Sequence, residues 1–434
     1  MTAAFELFEA SGWVLLGCAC FLSTWGLRRI AELPAPSPWL RRVGTLLGLA
    51  LVATGVWLRV SGLREFEARM LTSDENWQGV IYVSDFVHRL ETYRSFGASH
   101  GTFAYGIDAW NRLFGFDPVG TRWFSVTSGL AALALFYLGL RGLTTASLAL
   151  LSAGLLSVSP FVVFFSRIAT EHSHTLFYAS ACLLACSCWR RRPGAARAFP
   201  IGLLAGLGYF VYAGFPVALA ALALGCGGAW LISRPGRRLV KGVQSARPSP
   251  AVMSSALAAA LGFAAIYVPM ILLHTRVFGG RFLSTGGGRL TLSMASVREA
   301  WTQLVRDLFV GGTSWYLPFR DLPVLERTLL PFAALGAVWA WRRHPSTLAR
   351  GCLLAAPLLI ALCTPSGQYP GMRRALVVLA PYAFCAAAGV LLVLGRLADL
   401  RSRPAGTRST RALRHVGTLV GVTLVGLCCF HAVA

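Results

Sequence analysis

Asp74 and Glu75 are the only adjacent pair of acids in the chain, in the segment Ser73-Asp74-Glu75-Asn76 just before Trp77. Two neighbouring carboxylates could serve as a general base on a hydroxyl group, or hold a divalent cation. The same four residues also suit a solvated N-cap for the helix that comes next. Two further clusters set ionisable groups beside long apolar runs, where desolvation is costly. One is Ser166-Arg167-Ile168-Ala169-Thr170-Glu171-His172-Ser173-His174, and the other is Arg373-Arg374, at the end of a short turn. Arginine presents a planar, permanently charged fork that fits a phosphate. Ordinary snorkelling to a membrane surface would place the same residues there. Glu171 with His172 and His174 could ligate a metal, although a lone Glu-His-x-His carries weak spacing support.

Such residues must be held by a chain that is far too apolar for a soluble globule. Of its 434 residues 56 % are hydrophobic and 13 % charged, and mean hydropathy is +0.61. Soluble domains sit near 45–50 % apolar with about a quarter charged. Disorder is excluded on the same ground. A membrane span needs roughly 20 mostly apolar residues. Runs that qualify, or nearly do, lie at about 12–27, 43–60, 122–140, 146–166, 172–189, 199–214, 216–233, 251–273, 328–341, 351–364, 375–395 and 416–433. The expected fold class is therefore an all-α polytopic membrane protein with about 12 transmembrane helices. The runs at 199–214, 328–341 and 351–364 are short for a full crossing.

Charge orients the chain. With the N-terminus outside and twelve crossings, the inner segments hold 23 basic residues and two acids, Glu32 and Asp399. The outer segments hold 17 basic and 15 acidic residues. The resulting +21 inside against +2 outside agrees with the enrichment of Lys and Arg in cytoplasmic loops. The formal charge of +23 is thus topological, and nucleic acid is not an expected partner. Glu6 and Glu9 precede the first apolar run with no Lys or Arg, which reads as a retained span and not a secretory signal. The eleven cysteines lie in or beside apolar runs, so a disulfide-stapled exterior domain is not expected.

Two outer segments are long, about 61–121 and 274–327. The first carries apolar residues at helical spacing over 62–71, 77–94 and 102–114, as short interfacial helices would. The second contains Gly279-Gly280 and Gly286-Gly287-Gly288 without a phosphate-loop pattern, and reads as a hinge or lid. Its seven arginines could attract an anionic lipid head group.

Taken together, the pattern resembles the GT-C superfamily of membrane glycosyltransferases, and within it the bacterial relatives of protein O-mannosyltransferase and aminoarabinose transferase. Asp74-Glu75 is similar to the acidic motif that comes after an early span in that family. The stretch His100-Gly101-Thr102-Phe103-Ala104-Tyr105, followed by Ala109-Trp110-Asn111-Arg112-Leu113-Phe114-Gly115, resembles a segment in which the family carries Pro-Pro where Gly101-Thr102 stand here. Arg122-Trp123-Phe124-Ser125 through Arg141, with Ser159-Pro160 and Ser166-Arg167…Glu171, is similar to the signature of its second to fourth spans. Arg373-Arg374-Ala375-Leu376 with Pro381 looks like its late basic motif. The likeness is closest over 60–190 and looser over 370–395. One extra span precedes the acidic loop, and the soluble C-terminal domain of some members has no counterpart.

The resemblance implies a single GT-C-like transmembrane domain over 1–434. It implies a glycosyltransferase that takes a sugar from a polyprenyl-phosphate donor and passes it to an acceptor hydroxyl. The acceptor, a glycan, lipid or protein, stays open. Asp74 would be the general base, with Glu75 orienting the acceptor or helping to bind a divalent cation. Arg373, Arg374, Arg167 and His100 would meet the donor phosphate, and Glu171 and Tyr105 would position substrate. No nucleotide is implied. The setting would be a bacterial cytoplasmic (inner) membrane with the chemistry on its periplasmic face. A multi-span transporter or flippase of lipid-linked sugars, and a surface-polysaccharide polymerase or ligase, are the rival readings. A transporter would be expected to set polar groups and broken helices near mid-membrane.

Overall fold

The computed structural model describes residues 38–63, 101–115, 118–212, 214–233, 250–278, 325–343 and 376–402, with isolated positions and a short helical stretch at 419–423 besides. Every regular element among the described residues is helical. In chain order they are α1 (Pro38–Val60), α2 (Gly101–Phe114), α3 (Pro118–Arg141), α4 (Ala146–Val158), α5 (Pro160–Arg167), α6 (His172–Arg191), α7 (Ala195–Tyr209), α8 (Gly214–Ser233), α9 (Pro250–Phe278), α10 (Leu330–Arg343) and α11 (Leu379–Ser402). Single 3-10 turns, Arg327–Leu329 and Leu376–Val378, lead into α10 and α11.

Helix α4 is the axis of the bundle. Its residues are apolar or small on every side, and from Ser147 to Val158 nearly all are buried, as an all-round apolar helix must be. Thr145 caps it, accepting the Leu148 amide at 3.4 Å. Helix α1 lies against one side of α4 and α11 against another, while α3 pairs with α6, α7 with α9, and α10 with α11. The core joins Leu151, Leu156 and Phe161 of α4 and α5 to Phe332, Ala386, Ala387 and Val390 of α10 and α11.

Four helical stretches are long and apolar enough to cross a membrane: Pro38–Val60, Val119–Arg141, Pro250–Leu272 and Leu376–Asp399. A fifth is the pair α4 and α5, bent by 64°. The outward faces agree with a lipid setting. Helix α1 exposes Leu46, Leu49 and Trp57, and α9 exposes Met253, Leu257, Leu261 and Leu272, an apolar exposure that water would penalise. The expected total of about 12 spans is not reached by the described helices. Helices α7 and α10, of 15 and 14 residues, are shorter than a straight crossing needs. The expected spans at 12–27, 351–364 and 416–433 lie wholly or mainly outside the described residues.

The bend between α4 and α5 has a plain cause. The sequence run 146–166 reads as one span, but Pro160 lacks an amide proton and disfavours helical geometry in the residue before it. Ser159 accordingly sits at φ −56°, ψ 122°, and the helix stops and restarts with Pro160 in its first turn. The short α5 is thereby swung aside, and its last residue, Arg167, is carried towards the end of α1.

Candidate functional site

Polar residues gather where α1, α5 and the first turns of α3 and α6 meet. Helix α1 ends in a defined stop. The Ser61 amide donates to the Trp57 carbonyl at 2.8 Å. Gly62 takes φ +61°, a left-handed geometry that a side chain resists. Leu63 is buried, the hydrophobic anchor usual after such a cap. Arg167 completes the stop: its Nη1 donates to Leu58 O at 3.0 Å and its Nη2 to Ser61 O at 2.9 Å.

Arg59 points inward from the same turn and is wholly buried. Its Nη1 donates to Gly55 O at 2.7 Å and to Ser157 O at 2.6 Å. Nε and Nη2 make no hydrogen bond, and no carboxylate pairs with the charge among the described residues. Two carbonyl oxygens take the place of a counter-ion, that of Ser157 in the last turn of α4, where a helix carries partial negative charge, and that of Gly55 within α1. Close approach makes this possible. At Gly55 a Cβ would lie 2.6 Å from Ser157 Cβ, and at Gly129 a Cβ would lie 2.9 Å from Ser166 Cβ and 3.8 Å from Arg59 Nε.

Helix α3 supplies the facing side. Arg122, Ser125 and Gly129 recur at helical spacing and share one face. Arg122 is 1 % exposed, and its charge acts on Arg167. Ser125 Oγ donates to Thr170 O at 3.4 Å, and Ser166 Oγ to Val162 O at 2.6 Å. Glu171, 3 % exposed, stands at the start of α6 with Oε1 3.5 Å from His172 Nδ1. The two histidine rings go separate ways. His172 packs between Phe165 (4.6 Å) and Tyr212 (4.7 Å), and His174 against Phe103 (4.9 Å) and Phe124 (4.4 Å). Among the described residues no three His, Cys, Asp or Glu side chains converge as a metal site, so the metal set suggested at Glu171, His172 and His174 does not assemble.

Helix α2 closes the same end of the bundle. Thr102 binds the C-terminus of α7 twice, N to Phe210 O at 3.0 Å and Oγ1 to Leu207 O at 2.9 Å. Trp110 Nε1 donates to Gly120 O at 2.9 Å, and Phe103 and Ile107 are buried. Tyr105 belongs to this helix, though its side chain is not among the described ones. Arg112 and Asp108 make an exposed i,i+4 pair at 2.9 Å, ordinary helix-surface electrostatics.

Of the residues picked out in the sequence, the structure thus describes Arg167 and Glu171, with Tyr105 by its backbone. Asp74, Glu75, His100, Arg373 and Arg374 lie outside the described residues, as do the helices expected at 62–71 and 77–94. The described chain ends at Leu63, eleven residues before Asp74, and resumes at Gly101, just after His100, and at Leu376, two residues after Arg374. These points sit at one end of the bundle, Leu63 beside the Arg167 clamp, Gly101 at the foot of α2, and the turn at Leu376 against α6. Two residues of the cluster were not picked out as candidates from the sequence. Arg59 carried a usable signal, a lone cation inside an apolar run. Arg122 stood in the stretch that carries the family resemblance, with no part assigned to it.

A sequence profile of the dolichyl-phosphate-mannose-protein mannosyltransferase family matches residues 102–247. Among curated proteins none matches the chain by sequence. Among solved structures, the archaeal oligosaccharyltransferase AglB from Archaeoglobus fulgidus, in complex with an inhibitory peptide and a dolichol-phosphate, is similar with a TM-score of 0.53 at 14 % identity. The likeness covers 92 % of this chain and 56 % of that one, so this chain spans little more than half its length. ArnT from Cupriavidus metallidurans, bound to undecaprenyl phosphate, is similar with a TM-score of 0.51 at 13 % identity, over 92 % of this chain and 75 % of that one. At such identities the likeness is one of fold.

Proposed function

We propose that this chain, similar in fold to two membrane transferases and matched in part by a mannosyltransferase profile, is a GT-C glycosyltransferase that moves a sugar from a polyprenyl-phosphate donor to an acceptor hydroxyl at the membrane surface. The observation that carries the reading is convergence. The segments that contain Asp74-Glu75, His100 and Arg373-Arg374 leave or rejoin the described helices at the same end of the bundle, the end that also holds Arg122, Arg167 and Glu171. Two proteins of the same fold are bound to lipid phosphates, dolichol-phosphate in one and undecaprenyl phosphate in the other, which supports a donor of that class. The charge asymmetry of the loops favours the periplasmic face of a bacterial inner membrane for this end.

The chemistry needs a proton taken from the acceptor and a phosphate released from the sugar. Asp74 is the general base on the acceptor hydroxyl, a role worth about 10²–10⁴ in rate. Glu75 orients the acceptor, and a divalent cation, where the reaction uses one, falls to it. Negative charge grows on the departing phosphate, so cations fixed nearby stabilise the transition state more than the ground state. Arg373 and Arg374 supply the forks for it, with His100 beside them, and the buried charges of Arg59 and Arg122 add a fixed positive background. Glu171 and Tyr105 are assigned to position the substrate. A lipid-linked donor brings its own leaving group, so no nucleotide is required.

The test is Asp74→Asn in the purified full chain. It should abolish transfer from a polyprenyl-phospho-sugar while thermal unfolding and binding of undecaprenyl phosphate stay as in the parent. Full retained transfer would remove Asp74 as base, and a parent protein that binds no polyprenyl phosphate would remove the donor.

A further inference from the structure

The stop at the end of α1 is more elaborate than the end of a helix needs. A left-handed glycine, a buried leucine and a planar arginine fork act on the same six residues, Leu58–Leu63. The fork comes from far away in sequence, carried there by the 64° bend at Ser159-Pro160. The two carbonyls it holds, those of Leu58 and Ser61, lie three residues apart and need two donors on one rigid plane. Immediately beyond this stop the chain runs into the segment that contains Asp74 and Glu75.

We propose that Arg167 is a positioning residue: it clamps the end of α1 and so fixes where the acidic loop departs, and it does not grip the donor phosphate. The proposal rests on the transferase reading and deepens it. Arg167 gives one N–H from each terminal nitrogen to a backbone carbonyl, two of the five donors of the fork, and swinging that fork onto a phosphate would release the helix end. The neighbouring Arg122 charge repels Arg167, which favours a fork turned towards carbonyl oxygen. Asp74 follows Leu63 by eleven residues, and a misplacement of a catalytic group by about 1 Å can cost about 10² in rate.

Arg167→Ala and Arg167→Lys separate the two roles, and Gly62→Ala gives a third variant that touches no cation. The clamp predicts that Arg167→Ala speeds amide exchange over Leu58–Leu63 by about tenfold and lowers kcat for transfer by about tenfold or more. The donor KM and the Kd for undecaprenyl phosphate should stay within about twofold. Arg167→Lys, which keeps one bond, should fall between. Gly62→Ala, forced at φ +61°, should reproduce the kcat loss. A tenfold rise in the undecaprenyl phosphate Kd with unchanged exchange would overturn the clamp and make Arg167 a phosphate ligand. Should the parent show no transfer at all, the function reading fails, while exchange and lipid affinity still decide what Arg167 does.

Discussion

Gly129→Ala is the substitution whose outcome the geometry fixes most tightly. Helix α3 touches α5 at this point, and the new Cβ would collide with Ser166 Oγ and stand 2.9 Å from Ser166 Cβ. Carbon atoms rest about 3.5–4.0 Å apart, so even the milder contact is too close by about 0.6 Å or more. Ser166 cannot simply turn away, because its hydroxyl is bonded to Val162 O at 2.6 Å and a lost bond of this kind costs about 1 kcal/mol. Overpacking costs about 1–3 kcal/mol. Against this, alanine is favoured over glycine inside a helix by about 0.5–1 kcal/mol. The clash wins, with a net loss of about 1–2 kcal/mol. For a chain this long the fall in Tm should be about 1–2 °C, read by thermal unfolding in detergent at one fixed scan rate. Because the obstacle is a side chain, Gly129→Ala with Ser166→Ala should recover about half of the loss, a coupling that a double-mutant cycle measures. A single variant as stable as the parent, or strictly additive losses, would refute the close packing of α5 on α3.

Three other substitutions probe the bundle and its polar end. Arg59→Ala should lower stability by about 3–5 kcal/mol, since it opens a cavity and strips a charged donor from Ser157 O. Arg59→Met should cost less because, while removing the same buried cation, it fills most of the cavity that alanine leaves, and equal losses in thermal unfolding would count against that reasoning. Gly202→Ala would drive a Cβ into the Ala259 carbonyl oxygen, a rigid backbone atom, so α7 and α9 must separate and Tm should fall further than for Gly129→Ala. Arg373→Ala and Arg374→Ala should each raise the donor KM in transfer assays, and unchanged donor kinetics in both would take the phosphate away from that pair.

Much of the architecture was legible in one dimension. Four of the described stretches that can span a membrane fall where apolar runs of sufficient length occur, because burial of about 20 apolar residues in lipid does not depend on neighbours. The helix at 101–114 was readable from the spacing of Phe103, Tyr105, Trp110 and Phe114. The neighbouring acids and the paired arginines stood out for the same reason, since rare charge in an apolar chain is conspicuous.

Contacts across the bundle were not legible. Hydropathy sums along the chain and is blind to the rotation of each helix about its axis, so it registered Arg59 as one cation near the end of a span. Only the packing of α1 on α4, brought close by Gly55, set that cation against a carbonyl in the last turn of α4. The run 146–166 looked continuous because proline is apolar enough to pass in a span, yet its missing amide proton breaks the helix and turns Arg167 back onto α1. His172 and His174, near neighbours in sequence, point to different aromatic walls, since neighbouring positions on a helix face apart. Composition and periodicity therefore determined that this protein lives in a membrane and which residues could react. Which of those residues hold substrate and which hold the scaffold was decided by helix rotation, close approach and one bend, which are properties of three dimensions alone.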